Sequence, residues 1–174
     1  IKYNSDGSIY AMGLSSDSLY NFHLQVLKLD TSGNILQRFS DSSNFISSYP
    51  VDFEVGQNGY LYCLTQSLLS GTGSVDICVF AYNQNGQLIW MRSFDGTSHA
   101  FDAASDLHLD TQNNLIVSGF LQNLSSGNNC MLAKLDSLGN TIWYNTYSLY
   151  GGYKFSTDDN NSIFMVASDS SGLA

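Results

Sequence analysis

Residues 134–143 read KLDSLGNTIW, and the same cadence occurs twice upstream. AYNQNGQLIW spans 81–90 and KLDTSGNILQ spans 28–37, each 53 residues before the next copy. Asp30, Asn83 and Asp136 open the three copies, and Gly33, Gly86 and Gly139 hold one fixed place in them. A constant period of this length marks a repeat architecture. Each copy reads as a hairpin: an apolar strand, Asp or Asn, two residues, Gly, and a second apolar strand. The Asp or Asn side chain can accept from the backbone two residues on, and Gly supplies the positive φ of a tight turn. Trp90 and Trp143 lie four residues past their glycines, where a large ring at fixed register predicts an anchor docked on the neighbouring unit. Gln37 takes that place in the first copy.

A second hairpin alternates with the first. SDGSIYAMG (5–13), QNGYLYCLT (57–65), QNNLIVSG (112–119) and DNNSIFMVA (159–167) each open on turn residues and run into a short apolar strand. IKYN, VDFEV, DLHLD and YKFST precede them as further short strands. The unit is therefore four antiparallel strands in about 53 residues, an all-β pattern. ICVFAY, LIVSGF, SIFMVA and CMLAK are apolar throughout, which predicts sheets covered on both faces. Four-stranded antiparallel sheets packed face to face are propeller blades. The expected blades are 1–49, 50–101, 102–150 and a half blade at 151–174, a partial or open propeller of about three and a half blades. Pro50, the single proline, is expected between units, where a missing N–H costs least. Either the chain is a segment of a longer propeller or copies complete one another.

The pattern Lys-Leu-Asp-x-x-Gly-Asn-x-x-Trp, followed by a Gly-containing loop, resembles the bacterial-type β-propeller repeats called SBBP repeats. KLDSLGNTIW fits best, KLDTSGNILQ lacks the Trp, and AYNQNGQLIW has Asn for Asp and Gln for Asn. The resemblance implies a propeller fold and a secreted or cell-surface scaffold or interaction module. Sialidase-type propellers differ: their Asp box has one residue between Asp and Gly, where Asp136 and Gly139 have two, and Arg38 and Arg92 are the only arginines.

Composition narrows the partners. Charged residues are 12% of the chain, about half the usual roughly 25%, so 27 Ser and 16 Asn must supply surface polarity. A net charge of −9 with six Lys plus Arg argues against nucleic acid and anionic membrane partners. No apolar run is long enough to insert in a membrane as a helix. Beginning at Ile1 without Met, the chain reads as a processed product or a piece of something longer. Cys63, Cys78 and Cys130 form neither a disulfide framework nor a zinc site. Cys63 and Cys78 are either bonded across a hairpin or two buried thiols.

Candidate chemistry is sparse. His108, aligned with Phe53 on an inner-type strand, can line a central channel beside a carboxylate, or be an ordinary strand residue. Asp158–Asn161 offers oxygen ligands for calcium without the ligand pattern of a dedicated loop. Asp102 and Asp106 read as solvated acids between blades, and Tyr150 and Tyr153 as loop aromatics able to stack on a sugar. Asn123 and Asn160 head N-glycosylation sequons, with Asn123 the better placed. No catalytic, cofactor or metal constellation is predicted. The expected role is an extracellular structural or adhesive scaffold, or a subunit of a surface filament, with protein partners, its own copies or the rest of a longer propeller, and glycans as further candidates. The alternatives are a carbohydrate-binding or carbohydrate-cleaving propeller and an intracellular protein-interaction propeller.

Overall fold

The computed structural model describes residues 1–40, 45–70, 73–124, 128–158 and 160–168. It is all-β, with fourteen strands in chain order among those residues. The first sheet holds β1 (Lys2–Tyr3), β2 (Ile9–Ser16), β3 (Phe22–Leu29) and β4 (Ile35–Ser40). The second holds β5 (Phe45–Val55), β6 (Leu61–Leu69), β7 (Val75–Tyr82) and β8 (Leu88–Phe94). The third holds β9 (Ala103–Leu109), β10 (Leu115–Leu121), β11 (Asn129–Leu135) and β12 (Thr141–Tyr147). The fourth is the pair β13 (Tyr150–Thr157) and β14 (Ile163–Ser168). In every sheet sequential strands are neighbours, and all pairings are antiparallel. These are the blade-like repeats that the 53-residue period predicts. β5 begins at Phe45, ahead of the boundary expected at 49/50, and β13 begins at Tyr150.

One turn builds the hairpins. Asp30 Oδ1 accepts from Ser32 N at 2.9 Å and Asn34 N at 2.8 Å, while Asn34 Nδ2 donates to Asp30 Oδ2. Asp136 does the same with Leu138 and Asn140, and Asn83 with Asn85 and Gln87. The backbone closes each turn, as in Gly33 N to Asp30 O at 3.0 Å. The fourth residue sits at positive φ: Gly33 at 84°, Gly86 at 77° and Gly139 at 80°. The last two inner hairpins repeat the device, with Asp110 and Asp158 as acceptors and Asn113 and Asn161 at φ near 60°. So does the 17–21 loop, where Asp17 accepts from Leu19 and Asn21 and Tyr20 has φ 63°.

The core lies between sheets, in layers. β7 sends Cys78, Phe80 and Tyr82 toward the first sheet, to meet Tyr10, Leu24, Val26 and Phe39. It sends Ile77, Val79 and Ala81 toward the third, to meet Leu115, Val117 and Met131. Coverage on both faces explains the unbroken apolar runs of β7, β10 and β11. SIFMVA departs from that expectation: Ile163 and Met165 pack on the third sheet, while Phe164 and Val166 are exposed, because no sheet covers the far face of β14 among the described residues. Pro50 also departs. It lies inside β5, at a register shift between Pro50 and Asp52. β5 is the first strand of its sheet, and an irregular edge tolerates the missing N–H.

Trp90 reaches the neighbouring sheet. Its Nε1 donates to Ser137 O at 3.1 Å, and its ring lies over the third sheet's outer turn. A Cβ on Gly139 would come within 2.8 Å of that ring, whereas the same atom on Gly33 would meet nothing within 4 Å. Both glycines carry the same positive-φ penalty, of order 1–2 kcal/mol for another residue. Gly139→Ala should therefore destabilise the chain more than Gly33→Ala, by a further 1–3 kcal/mol or so from overpacking. Denaturant unfolding of the two variants measures the difference; equal losses would mean that the indole does not bear on the turn.

Candidate functional site

The chain concentrates its specific side-chain chemistry at the junctions between sheets. At the outer rim, Gln37 Nε2 donates to Asn85 O at 3.3 Å, joining the first and second sheets. Trp90 and Arg92 perform that role at the next junction, Arg92 Nε reaching Gly139 O at 2.7 Å. Registers match: Gln37 pairs with Lys28, Trp90 with Ala81 and Trp143 with Lys134. Trp143 therefore occupies the third anchor position. It borders an open hollow with Leu132, Asn145, Tyr147, Ile163 and Met165.

The inner rim has its own ties. Asn113 Oδ1 accepts from Gln57 N at 2.9 Å, and Asn161 Oδ1 from Thr111 N at 3.3 Å and Thr111 Oγ1 at 3.1 Å. Gly7 and Gly59 hold the equivalent positive-φ positions, so only the later two junctions have this tie. Asn tolerates that backbone region better than most residues, and here its side chain also joins neighbouring sheets. This accounts for Asp158–Asn161 without calcium: Asp158 accepts from Asn160 N and Ser162 N, and Asn161 reaches the third sheet. Asp159 lies outside the described residues.

A row of charges crosses the inner strands. Lys2 Nζ lies 2.8 Å from Glu54 Oε1 and 3.3 Å from Asp52 Oδ1. Glu54 also faces His108 Nδ1 at 3.6 Å. The pairings align His108 with Glu54, not Phe53, because Glu54 and His108 each stand one residue before the last pair of their hairpin. His108 does meet a carboxylate, and its ring packs edge-on against Phe155. The contact joins neighbouring sheets, as do the Lys2 contacts. Asp106, expected to be solvated, is buried; it accepts from Phe155 N at 3.0 Å and meets Lys154 Nζ at 2.6 Å, tying the third sheet to the fourth.

The KLD lysines are likewise structural. Lys134 Nζ lies 2.7 Å from Asp110 Oδ2, and Lys28 Nζ 3.3 Å from Asp6 Oδ2. Each joins an outer strand to the inner turn of its own sheet. Burial works to raise the Asp110 carboxyl, but Lys134 and the turn donors outweigh it and hold it below its ordinary value. Asp136 is lowered by its bonds from Asn140 and the turn backbone, and Asp30 likewise by Asn34.

Sequence reading missed one cluster. A carboxylate oxygen from each of Asp76, Asp95 and Asp102 lies within 4.8 Å of the others. Asp102, expected to be solvated, is fully buried; it accepts from Gly96 N at 2.7 Å and Gln122 N at 2.9 Å, fixing the passage between the second and third sheets. Asp76 accepts from Ser74 Oγ, and Asp95 meets His99 Nδ1. The His99 imidazole is held above its ordinary pKa by that Asp95 contact. Oxygen donors at this spacing suit a hard cation, yet these protein donors already account for the arrangement. The cluster was invisible in sequence because its acids come from β7, the β8–β9 connection and the approach to β9. A polar hollow beside it is lined by Asp95, Gln122, Asn123, Asn129, Tyr144 and Thr146.

Cys63, Cys78 and Cys130 are free and buried; Cys63 pairs with Phe80 and Cys78 with Thr65 across the β6–β7 ladder, so the two thiols are not opposite one another. Burial pushes the Cys78 thiol up to about 12 and the Cys63 thiol higher still. Tyr150 and Tyr153 lie in β13 rather than in a loop. Asn123 is half-buried and accepts from Ser98 Oγ at 3.3 Å, whereas Asn160 is exposed. No protein-family model matches the chain, and no curated protein matches its sequence.

Burial raises the Asp76 carboxyl above its ordinary range, against the Ser74 bond, and the charge on Asp95 adds to the rise. A carboxyl raised on folding contributes most below its unfolded pKa and loses that contribution as pH rises through the folded value. Asp76→Asn keeps the Ser74 bond and removes the charge. Its melting temperature should exceed the parent's by a few degrees at pH 7, and the gap should close below about pH 4. Thermal melts across that range decide the matter, and a gap independent of pH would refute it.

Proposed function

We propose that the chain is an extracellular structural or adhesive scaffold, an interaction module that assembles through the face beside Trp143. One observation carries this reading. The anchor position that ties each earlier junction, held by Gln37 and then by Trp90, is held here by Trp143, but among the described residues it has no outer turn to lock onto. The surrounding face is apolar, and β14 adds a sheet edge unpaired among the described residues; such surfaces favour association. The Ser- and Asn-rich, weakly charged composition and the resemblance to SBBP-type repeats support the same reading. A filament or other surface assembly is its most specific form.

Sedimentation and negative-stain electron microscopy of the native protein test it. Ordered particles or a defined complex are expected, weakened by Trp143→Ala; a monodisperse monomer that takes no partner from its native source would overturn it. Location has a separate check. In a eukaryotic secretory host, glycan should appear on exposed Asn160 in preference to half-buried Asn123. Glycopeptide mass spectrometry reads this directly, and an unmodified native eukaryotic protein would favour the intracellular alternative.

A second reading, glycan binding, is favoured by the polar hollow. It offers Gln122 and Asn129 amides beside Tyr144, whose ring stacks on Phe94 with centroids 6.1 Å apart. Glycan-array binding abolished by Tyr144→Ala would support it, and silence on the array would count against it.

A further inference from the structure

We infer that the face beside Trp143 receives a β-hairpin from outside residues 1–174, carrying the sequence Lys-x-Asp/Asn-x-x-Gly, with the glycine seated under the indole. This rests on the interaction-module reading and names the partner's chemistry.

The chain's own junctions specify the occupant. At the second junction the Trp90 indole covers a five-residue turn, donating to Ser137 O, while Arg92, two residues on, donates to Gly139 O. At the third junction Trp143 and Asn145 stand at the same two positions, since Trp143 pairs with Lys134 as Trp90 pairs with Ala81. Indole N–H and Asn amide therefore offer donors for two carbonyls of an incoming turn. The turn needs glycine beneath the ring, because a side chain at Gly139 would collide with Trp90.

The strands of the occupant are equally constrained. Among the described residues β14 bonds only to β13, so its other edge is open. Residues 163–168 contain no proline and no charge, the devices that ordinarily blunt an edge. Ile163 and Met165 face the hollow. An antiparallel strand added to β14, continued through a turn into a second strand, makes the sheet four-stranded like the other three. Peptide recognition by strand addition takes affinity from main-chain bonds and specificity from alternate side chains.

Charge fixes one more residue. The lysine two places before the outer turn reaches the inner turn of its own sheet, as Lys134 does to Asp110 and Lys28 to Asp6. The fourth sheet presents Asp158 at the inner-turn position of Asp110, and a lysine on the incoming hairpin pairs with it. The chain's charge of −9 favours such a cationic partner.

The probe is a synthetic peptide with the sequence of residues 129–147, its own tryptophan replaced by phenylalanine, titrated against the full chain. Binding is expected with a blue shift of tryptophan emission. Trp143→Ala in the chain should weaken it at least tenfold, Gly139→Val in the peptide should abolish it, and Lys134→Ala in the peptide should weaken it several-fold, with no further loss when combined with Asp158→Asn in the chain. Because a free hairpin can be too unstructured to bind, the peptide is also joined after residue 174 by a flexible linker. The joined chain should melt several degrees higher, and the Gly139→Val version should not. No binding and no rise in melting temperature would overturn the inference. Self-association that the peptide fails to displace would also overturn it, placing a second copy on this face while leaving the scaffold reading standing. A hairpin-binding chain that never assembles or finds a native partner would instead sink the scaffold reading.

Discussion

A carboxylate or amide that bonds the backbone two and four residues ahead is the constraint on which this fold depends. It closes the three outer hairpins and the last two inner ones, from Asp30 to Asp158, and the turn places a residue at positive φ in fourth place. That residue decides what the next sheet encounters. Glycine leaves a flat turn on which a ring can lie, as Trp90 does over Gly139. Asparagine extends a carbonyl into the neighbouring turn, as Asn113 and Asn161 do. A local device of five residues thus sets the spacing between sheets.

The junctions are not equal. The first two bury broad layers of apolar side chains, whereas the third, among the described residues, has Ile116, Leu132 and Phe155 within its core. Polar ties compensate in part. Asp106 holds both the backbone and the lysine of β13, and Asn161 holds Thr111. A buried carboxylate that loses such partners is costly, so these ties fix the angle at which β13 lies on the third sheet. The site beside Trp143 inherits that geometry.

Most of the fold was legible because its signals are local. The Asp-x-x-Gly turns, the apolar runs and the 53-residue period lie within short windows, and the tryptophan anchor followed from its fixed register. What escaped was decided across sheets. Asp102 and Asp106 look like loop acids in sequence, yet one caps backbone N–H groups at Gly96 and Gln122 and the other receives β13. Asp76, Asp95 and Asp102 meet only because two sheets place them side by side. Pro50 reads as punctuation, but an irregular edge strand accommodates it. The lysine of the KLD motif marks the repeat in sequence; only the fold reveals that it reaches an acid in the inner turn.

All four lysines, Lys2, Lys28, Lys134 and Lys154, are engaged with acids, and together with Arg38 and Arg92 they all lie within strands. Proteases nick folded proteins chiefly at exposed loop tips. The connecting segments here carry Ser, Asn, Asp and Gly but no lysine or arginine, so an enzyme of trypsin-like preference meets its target bonds only where the backbone is already held in a ladder. The folded chain is protected from that class of digestion by where its few cations stand, without a disulfide among Cys63, Cys78 and Cys130.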